Sequence, residues 1–229
     1  MGQNCCSPGA EDAEVNSVSP GAQRSAASPQ NNTMQKSSSP AARSSPAARA
    51  GAASSPGGLS FDLVLSDLEK AEKLAYGSVF TGFNPSADGK VGADSAQLRD
   101  FVATNSCVPY GDIDVVLLKA ASASDDMKIS VDDFLTMMRE NAIPEGIVIE
   151  RFLGLASDGS DLNSADCRTG LYMIKDELGA TAGAVGDGRW DAVFDSVMRS
   201  AGATVSMESW TTYCKQVARI ARVTQAAKL

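Results

Sequence analysis

The chain predicts an all-α body of four helix–loop–helix units arranged in two lobes, preceded by a disordered N-terminal tail. Three observations lead there. Composition changes sharply near Gly58, from Ala, Ser, Pro and Gly to regularly spaced large apolar residues. Beyond that point the apolar residues recur on helical stripes. A short polar frame closed by an apolar residue also returns four times, at intervals of roughly 34 to 43 residues, which marks a repeated supersecondary unit. The expected division is a tail over 1–58, an N-terminal lobe over 59–142 and a C-terminal lobe over 143–229.

The tail carries too few large side chains to offset the entropy of ordering it. It begins Met1-Gly2-Gln3-Asn4-Cys5-Cys6-Ser7, which resembles an acylated N-terminus. Gly2 would take myristate once Met1 is removed, with Cys6 standing where myristoylation motifs usually have Ser or Thr. Cys5 and Cys6 supply palmitoylation positions, and two acyl signals hold a protein on a bilayer where one alone binds marginally. Each of the six prolines in this segment follows a serine, at Ser7, Ser19, Ser28, Ser39, Ser45 and Ser55. This resembles the substrate pattern of proline-directed kinases; compositional Ser/Pro bias is the alternative reading. Arg24, Lys36, Arg43 and Arg49 follow without an acid between them. Near anionic lipid each adds about 1 kcal/mol of attraction, and phosphoserines would cancel it.

In the body, Phe61, Leu65, Leu68, Leu74 and Phe80 form an approximately helical stripe over 61–80. The first polar frame follows: Asn84, Ser86, Asp88, Gly89, Lys90 and Val91, closing at Ser95. Ile113, Val116 and Leu117 predict a second helix, and Ser122, Ser124, Asp126, Met127, Ile129 and Asp133 repeat the frame before Phe134, Leu135 and Met138. Asn141 to Pro144 breaks the pattern, because the residue before a proline disfavours helix. The third frame runs from Phe152 and Leu155 through Leu162 to Asp166 and Cys167, with one residue deleted near Ser157–Asp161. Ala180 to Gly188 reads as a glycine-rich connector. The fourth frame has Met198, Ser200, Gly202, Val205 and Ser209, and Trp210 opens a basic amphipathic stretch through Val223. Such a stretch lies on a membrane, binds a partner, or packs one face in the core. The scattered methionines similarly suit either a target groove or ordinary packing.

These frames resemble the twelve-residue loops of the EF-hand (calmodulin-like) superfamily, and the resemblance covers roughly 160 of the 229 residues. That loop places oxygens at positions 1, 3, 5, 7, 9 and 12, with glycine at 6. Asn84, Ser86, Asp88 and Lys90 take places 1, 3, 5 and 7 of the first loop, and Gly89 takes place 6. Val91, Ile129, Leu162 and Val205 stand where the family has an apolar strand residue joining two loops. The strong ligand is missing: place 12 of the first loop is Ser95, and the fourth loop has no carboxylate at a side-chain ligand place. The resemblance therefore implies a helical body with no high-affinity calcium site, and weak calcium only in the first loop.

The composition narrows the function. With 229 residues, a formal charge of −8 and no histidine, the chain lacks the commonest general base and zinc ligand, and no enzyme activity is expected. Cys107, Cys167 and Cys214 lack C-x-x-C spacing, so neither disulfides nor zinc are indicated. An acidic body argues against nucleic acid, and no apolar run reaches the length of a membrane span. The expectation is a lipid-anchored, EF-hand-like adaptor or scaffold at the cytoplasmic face of a membrane. It would bind a protein or peptide partner in a helical groove, without a cofactor. The alternative is a weak calcium sensor with one or two working loops.

Overall fold

The computed structural model describes residues 59–156 and 158–229. The described chain is mostly helical, with α1 (Phe61–Ser66), α2 (Leu68–Thr81), α3 (Ala96–Asn105), α4 (Ile113–Ala121), α5 (Val131–Glu140), α6 (Glu145–Leu155), α7 (Ser164–Glu177), α8 (Trp190–Val197) and α9 (Met207–Ala226). Four two-residue strands join the loops: β1 (Val91–Gly92), β2 (Lys128–Ile129), β3 (Leu162–Asn163) and β4 (Thr204–Val205). They form two antiparallel pairs, with Val91 opposite Ile129 and Leu162 opposite Val205. All four of these apolar residues are buried, so each pair pins two loops to the core beneath.

The helices after the loops start where a cap is available. Ser130, Asn163 and Ser206 each follow the buried strand residue directly and accept from the backbone N–H three residues on, which satisfies one of the free donors at a helix start. Ser130 and Asp133 complete a reciprocal capping box. In the first loop Gly92 holds that position and has no side chain to cap with. The helix accordingly starts later, with Ser95 accepting from Leu98 N–H. The third loop is the short one: Leu155 to Leu162 spans seven steps, against eight from Ala121 to Ile129 and from Val197 to Val205, consistent with the expected deletion.

Two sequence expectations are corrected. The stripe over 61–80 is not one helix. Asp67, at φ −148° and ψ 80°, interrupts it and caps α2 by accepting from Lys70 N–H at 3.0 Å. The face α2 buries is Ala71, Glu72, Ala75, Tyr76 and Phe80, while Leu74 is 51% exposed. The segment expected to be a connector is built from two short 3-10 helices, Gly179–Ala184 and Asp187–Arg189, and buries Thr181, Ala182 and Val185.

Aromatic rings centre the first half. The Phe134 ring lies 5.5 to 5.9 Å from those of Tyr76, Phe80, Phe83 and Phe101, edge-on or tilted as ring quadrupoles prefer. In the second half Trp190 and Trp210 are fully buried. Trp210 Nε1 donates to the Val148 carbonyl at 2.8 Å, tying α9 to α6. Gly170 admits this packing, because a Cβ there would stand 2.5 Å from Leu155 Cδ1 and 2.6 Å from Trp210 Cη2. Helix α9 packs on α6, α7 and α8 and then continues against α1 and α2, so its last turns belong to the core of the first half.

Candidate functional site

The first pair of loops is the most chemically specific place in the described body. Val91 and Ile129 point into the core, so by strand alternation Lys90 and Lys128, one residue earlier in each strand segment, point the other way. Each lysine reaches the opposite loop. Lys128 Nζ lies 2.9 Å from Asp88 Oδ2 and 3.4 Å from Ser86 Oγ. Lys90 Nζ lies 2.7 Å from Ser124 Oγ and 3.2 and 3.3 Å from the two Asp126 carboxylate oxygens. Within each loop the serine also donates to the aspartate, Ser86 to Asp88 at 2.5 Å and Ser124 to Asp126. These donors hold both carboxyls below the usual range, Asp88 through Ser86 and Lys128, and Asp126 through Ser124 and Lys90.

Three of the four residues expected to be weak ligands, Ser86, Asp88 and Lys90, therefore have other engagements. The Lys90 carbonyl accepts from Ser86 N–H at 2.9 Å and lies 2.8 Å from Ser86 Oγ. Asn84 is exposed, in the left-handed region at φ 54°. Gly89 makes the sharp turn at φ 74°, and Met127 makes the corresponding turn at φ 54°. Ser95, where the resemblance to an EF-hand loop would put a bidentate carboxylate, is the cap of α3. A calcium ion takes six to eight oxygens at 2.3 to 2.6 Å, carboxylates above all. A donor set of Asp88 in the first loop and Asp126 in the second, each already bonded to an ammonium, with Asp133 held in the capping box of α5, does not fit it.

The second pair is built differently. The residues preceding the paired apolar positions are Asp161 and Thr204, so no lysine crosses there. Instead Ser164 Oγ donates to the Gly202 carbonyl at 3.3 Å. In the third loop Asp158 accepts from Ser160 N–H at 3.0 Å; the Ser160 side chain first, and this backbone bond second, lower its carboxyl's proton affinity. Asp166 is bonded to its cap, Asn163. Among the described residues no three His, Cys, Asp or Glu side chains converge as a metal would require.

The basic face of α9 turns partly inward. Glu72, with 1% of its side chain exposed, accepts from Arg219 Nε and Nη2 at 2.7 and 2.8 Å and from Arg139 Nε at 2.7 Å. Arg222 is buried and donates to the Ala142 carbonyl at 2.5 Å; burial lowers its proton affinity. Of the basic residues in the stretch, Lys215 is exposed, Arg219 half-buried and Arg222 buried. Met137 and Met138 are core residues, whereas Met127 and Met173 lie at the surface, so the methionines do not line a single groove. An apolar groove of about 640 Å³ does exist, lined by Leu74, Val79, Phe83, Phe101 and, from the end of the chain, Ala226 and Leu229. Burial pushes the Cys167 thiol up to about 11, and the Cys214 and Cys107 thiols up as well.

Several expected sites lie outside the described residues: Gly2, Cys5, Cys6, and Ser7, Ser19, Ser28, Ser39, Ser45 and Ser55. The sequence places Lys90 in its loop but does not show Ser124 and Asp126 as its partners. The signal was present, because Ser-x-Asp-x-Lys followed by a β-branched residue occurs at 86–91 and again at 124–129. Glu72, Arg139 and Arg219 left no such signal, since their pairing depends on how α9 crosses α2. Comparison with protein-family models, curated proteins and solved structures finds no match to this chain.

Proposed function

We propose that this chain is a lipid-anchored adaptor or scaffold that holds a protein partner at the cytoplasmic face of a membrane, through a body of degenerate EF-hand units that works largely without calcium. The observation that carries it is the engagement of the loop oxygens in the first pair by Lys90 and Lys128. A sensor needs those oxygens free for its ion; an adaptor needs only the folded body. Gly2, Cys5 and Cys6 support anchoring by their types and order. The groove beside Leu74 and Leu229, which are 51% and 80% exposed, supports a protein or peptide partner. The second reading, a weak calcium sensor, draws on the left-handed turn at Gly89 and the carboxylates Asp158, Asp161 and Asp166 of the third loop.

Proximity labelling from the intact protein, beside Gly2→Ala and Cys5→Ser/Cys6→Ser versions, tests the anchoring and reports neighbours together. Removing either acyl signal is expected to reduce the membrane-bound fraction by roughly tenfold or more and to replace membrane neighbours by soluble ones. An unchanged membrane fraction in the Gly2→Ala version would contradict the reading.

A further inference from the structure

The loops of the first pair are related by more than their strands. In each, places 3 and 5 are serine and aspartate, place 7 is lysine and place 8 is buried, at Ser86, Asp88, Lys90 and Val91 and at Ser124, Asp126, Lys128 and Ile129. The antiparallel register sets each place-7 lysine beside the other loop. Its ammonium meets the serine hydroxyl and the aspartate carboxylate of that loop, at 2.7 and 3.2 Å for Lys90 and at 3.4 and 2.9 Å for Lys128. Serine and aspartate at these places are the side chains through which such a loop would hold a metal ion. The two contacts are reciprocal, and neither lysine is fully solvated: 30% of the Lys90 side chain and 36% of that of Lys128 is exposed.

We propose that the first pair of loops is a cation site filled by the protein itself, with the Lys128 ammonium serving the first loop and the Lys90 ammonium the second. The place-5 carboxylate of each loop, Asp88 or Asp126, is neutralised by a cation covalently carried on the partner loop. The pair is thereby held together at a high local concentration that no free ion can match, since the lysine is already delivered by the strand pairing. A divalent ion entering either loop would have to displace an ammonium and then sit beside it, against like-charge repulsion that is strong at a few ångströms. The device closes the loops and excludes metal by the same contact. This deepens the calcium-independent reading of the body and rests on the degenerate-loop reading, but not on the tail. Failure of anchoring in the Gly2→Ala experiment and failure of the clasp are therefore separate outcomes.

The test compares the full chain with Lys90→Gln/Lys128→Gln, with Lys90→Arg/Lys128→Arg, and with the control Lys70→Gln/Lys73→Gln on exposed positions of α2. Thermal melting is read in calcium chloride and in a chelator, and binding is titrated calorimetrically with calcium and with lanthanum, whose higher charge makes it the more demanding probe. The expected result is a melting point independent of calcium in the native chain, the arginine pair and the control. The glutamine pair should melt a few degrees lower in chelator, recover in calcium or lanthanum, and bind lanthanum at least tenfold more tightly than the native chain. Lanthanum binding by the native chain as tight as by the glutamine pair overturns the proposal. So does a glutamine pair that loses stability without any response to either ion. If the glutamine pair fails to fold, the arginine pair decides: metal uptake by it would show that a retained positive charge does not exclude metal, and would overturn the proposal too.

Discussion

Two residues make the same turn at different cost. Gly89 and Met127 both sit in the left-handed region, at φ 74° and 54°, which costs an L side chain about 1–2 kcal/mol and glycine almost nothing. Met127 is 49% exposed, so little packing offsets its strain. Met127→Gly is expected to stabilise the body by about 0.5–1 kcal/mol, after subtracting the greater freedom of glycine in the unfolded chain. Gly89→Ala should destabilise it by about 1 kcal/mol, because a Cβ there meets no atom within 4 Å and only the backbone objects. Urea denaturation measures both, and a Met127→Gly variant less stable than the native chain would contradict the assignment of the turn. At this scale the sequence was partly legible. Glycine in a place-6 position announced its turn, but methionine in the equivalent place gave no hint that the strained conformation would persist. It persists because the Val91–Ile129 pairing and the crossed lysines fix the loop on both sides.

Helix α9 couples the halves through Glu72. Its carboxylate is buried and accepts from both Arg139 on α5 and Arg219 on α9, so removing its charge strands two arginines that keep only part of their surface in water. Glu72→Gln is expected to cost about 2–3 kcal/mol, toward the low end for a broken buried pair because the arginines are 29% and 21% exposed. Substituting Glu72, Arg139 and Arg219 together by methionine should cost less than Glu72→Gln alone, since no uncompensated charge remains. Denaturation midpoints decide it, and a Glu72→Gln variant as stable as the native chain would contradict this role. Elements whose signal is local were legible from the sequence. The Phe134 face of α5 follows from spacing, the break at Pro144 from proline's effect on the residue before it, and the apolar strand residues from the place they take in the resemblance to EF-hand loops. The interruption at Asp67 was not, because a capping aspartate inside a continuous apolar stripe looks like a solvated face residue until its bond to Lys70 N–H is seen. Likewise the glycine-rich segment 180–188 looked like linker; it is held by packing on α9, a tertiary contact that composition does not report.

Over the whole molecule, the described body reads as a helical unit whose first loop pair is proposed to supply its own cations, and anchoring is proposed for Gly2, Cys5 and Cys6, outside the described residues. Sequence alone carried the helical class and the four-fold recurrence, because both rest on periodicity. It did not carry the crossing of Lys90 and Lys128 or the reach of α9 into the first half, because both depend on distances between segments far apart in the chain. The measurement that bears most directly on the account is flotation of the native, full-length protein with membranes, run in calcium and in chelator, with intact-mass analysis of the floated material. The account predicts equal flotation in both and a mass increased by myristoyl and palmitoyl groups. Flotation that appears only with calcium, or an unmodified amino end on the membrane-bound protein, would contradict it.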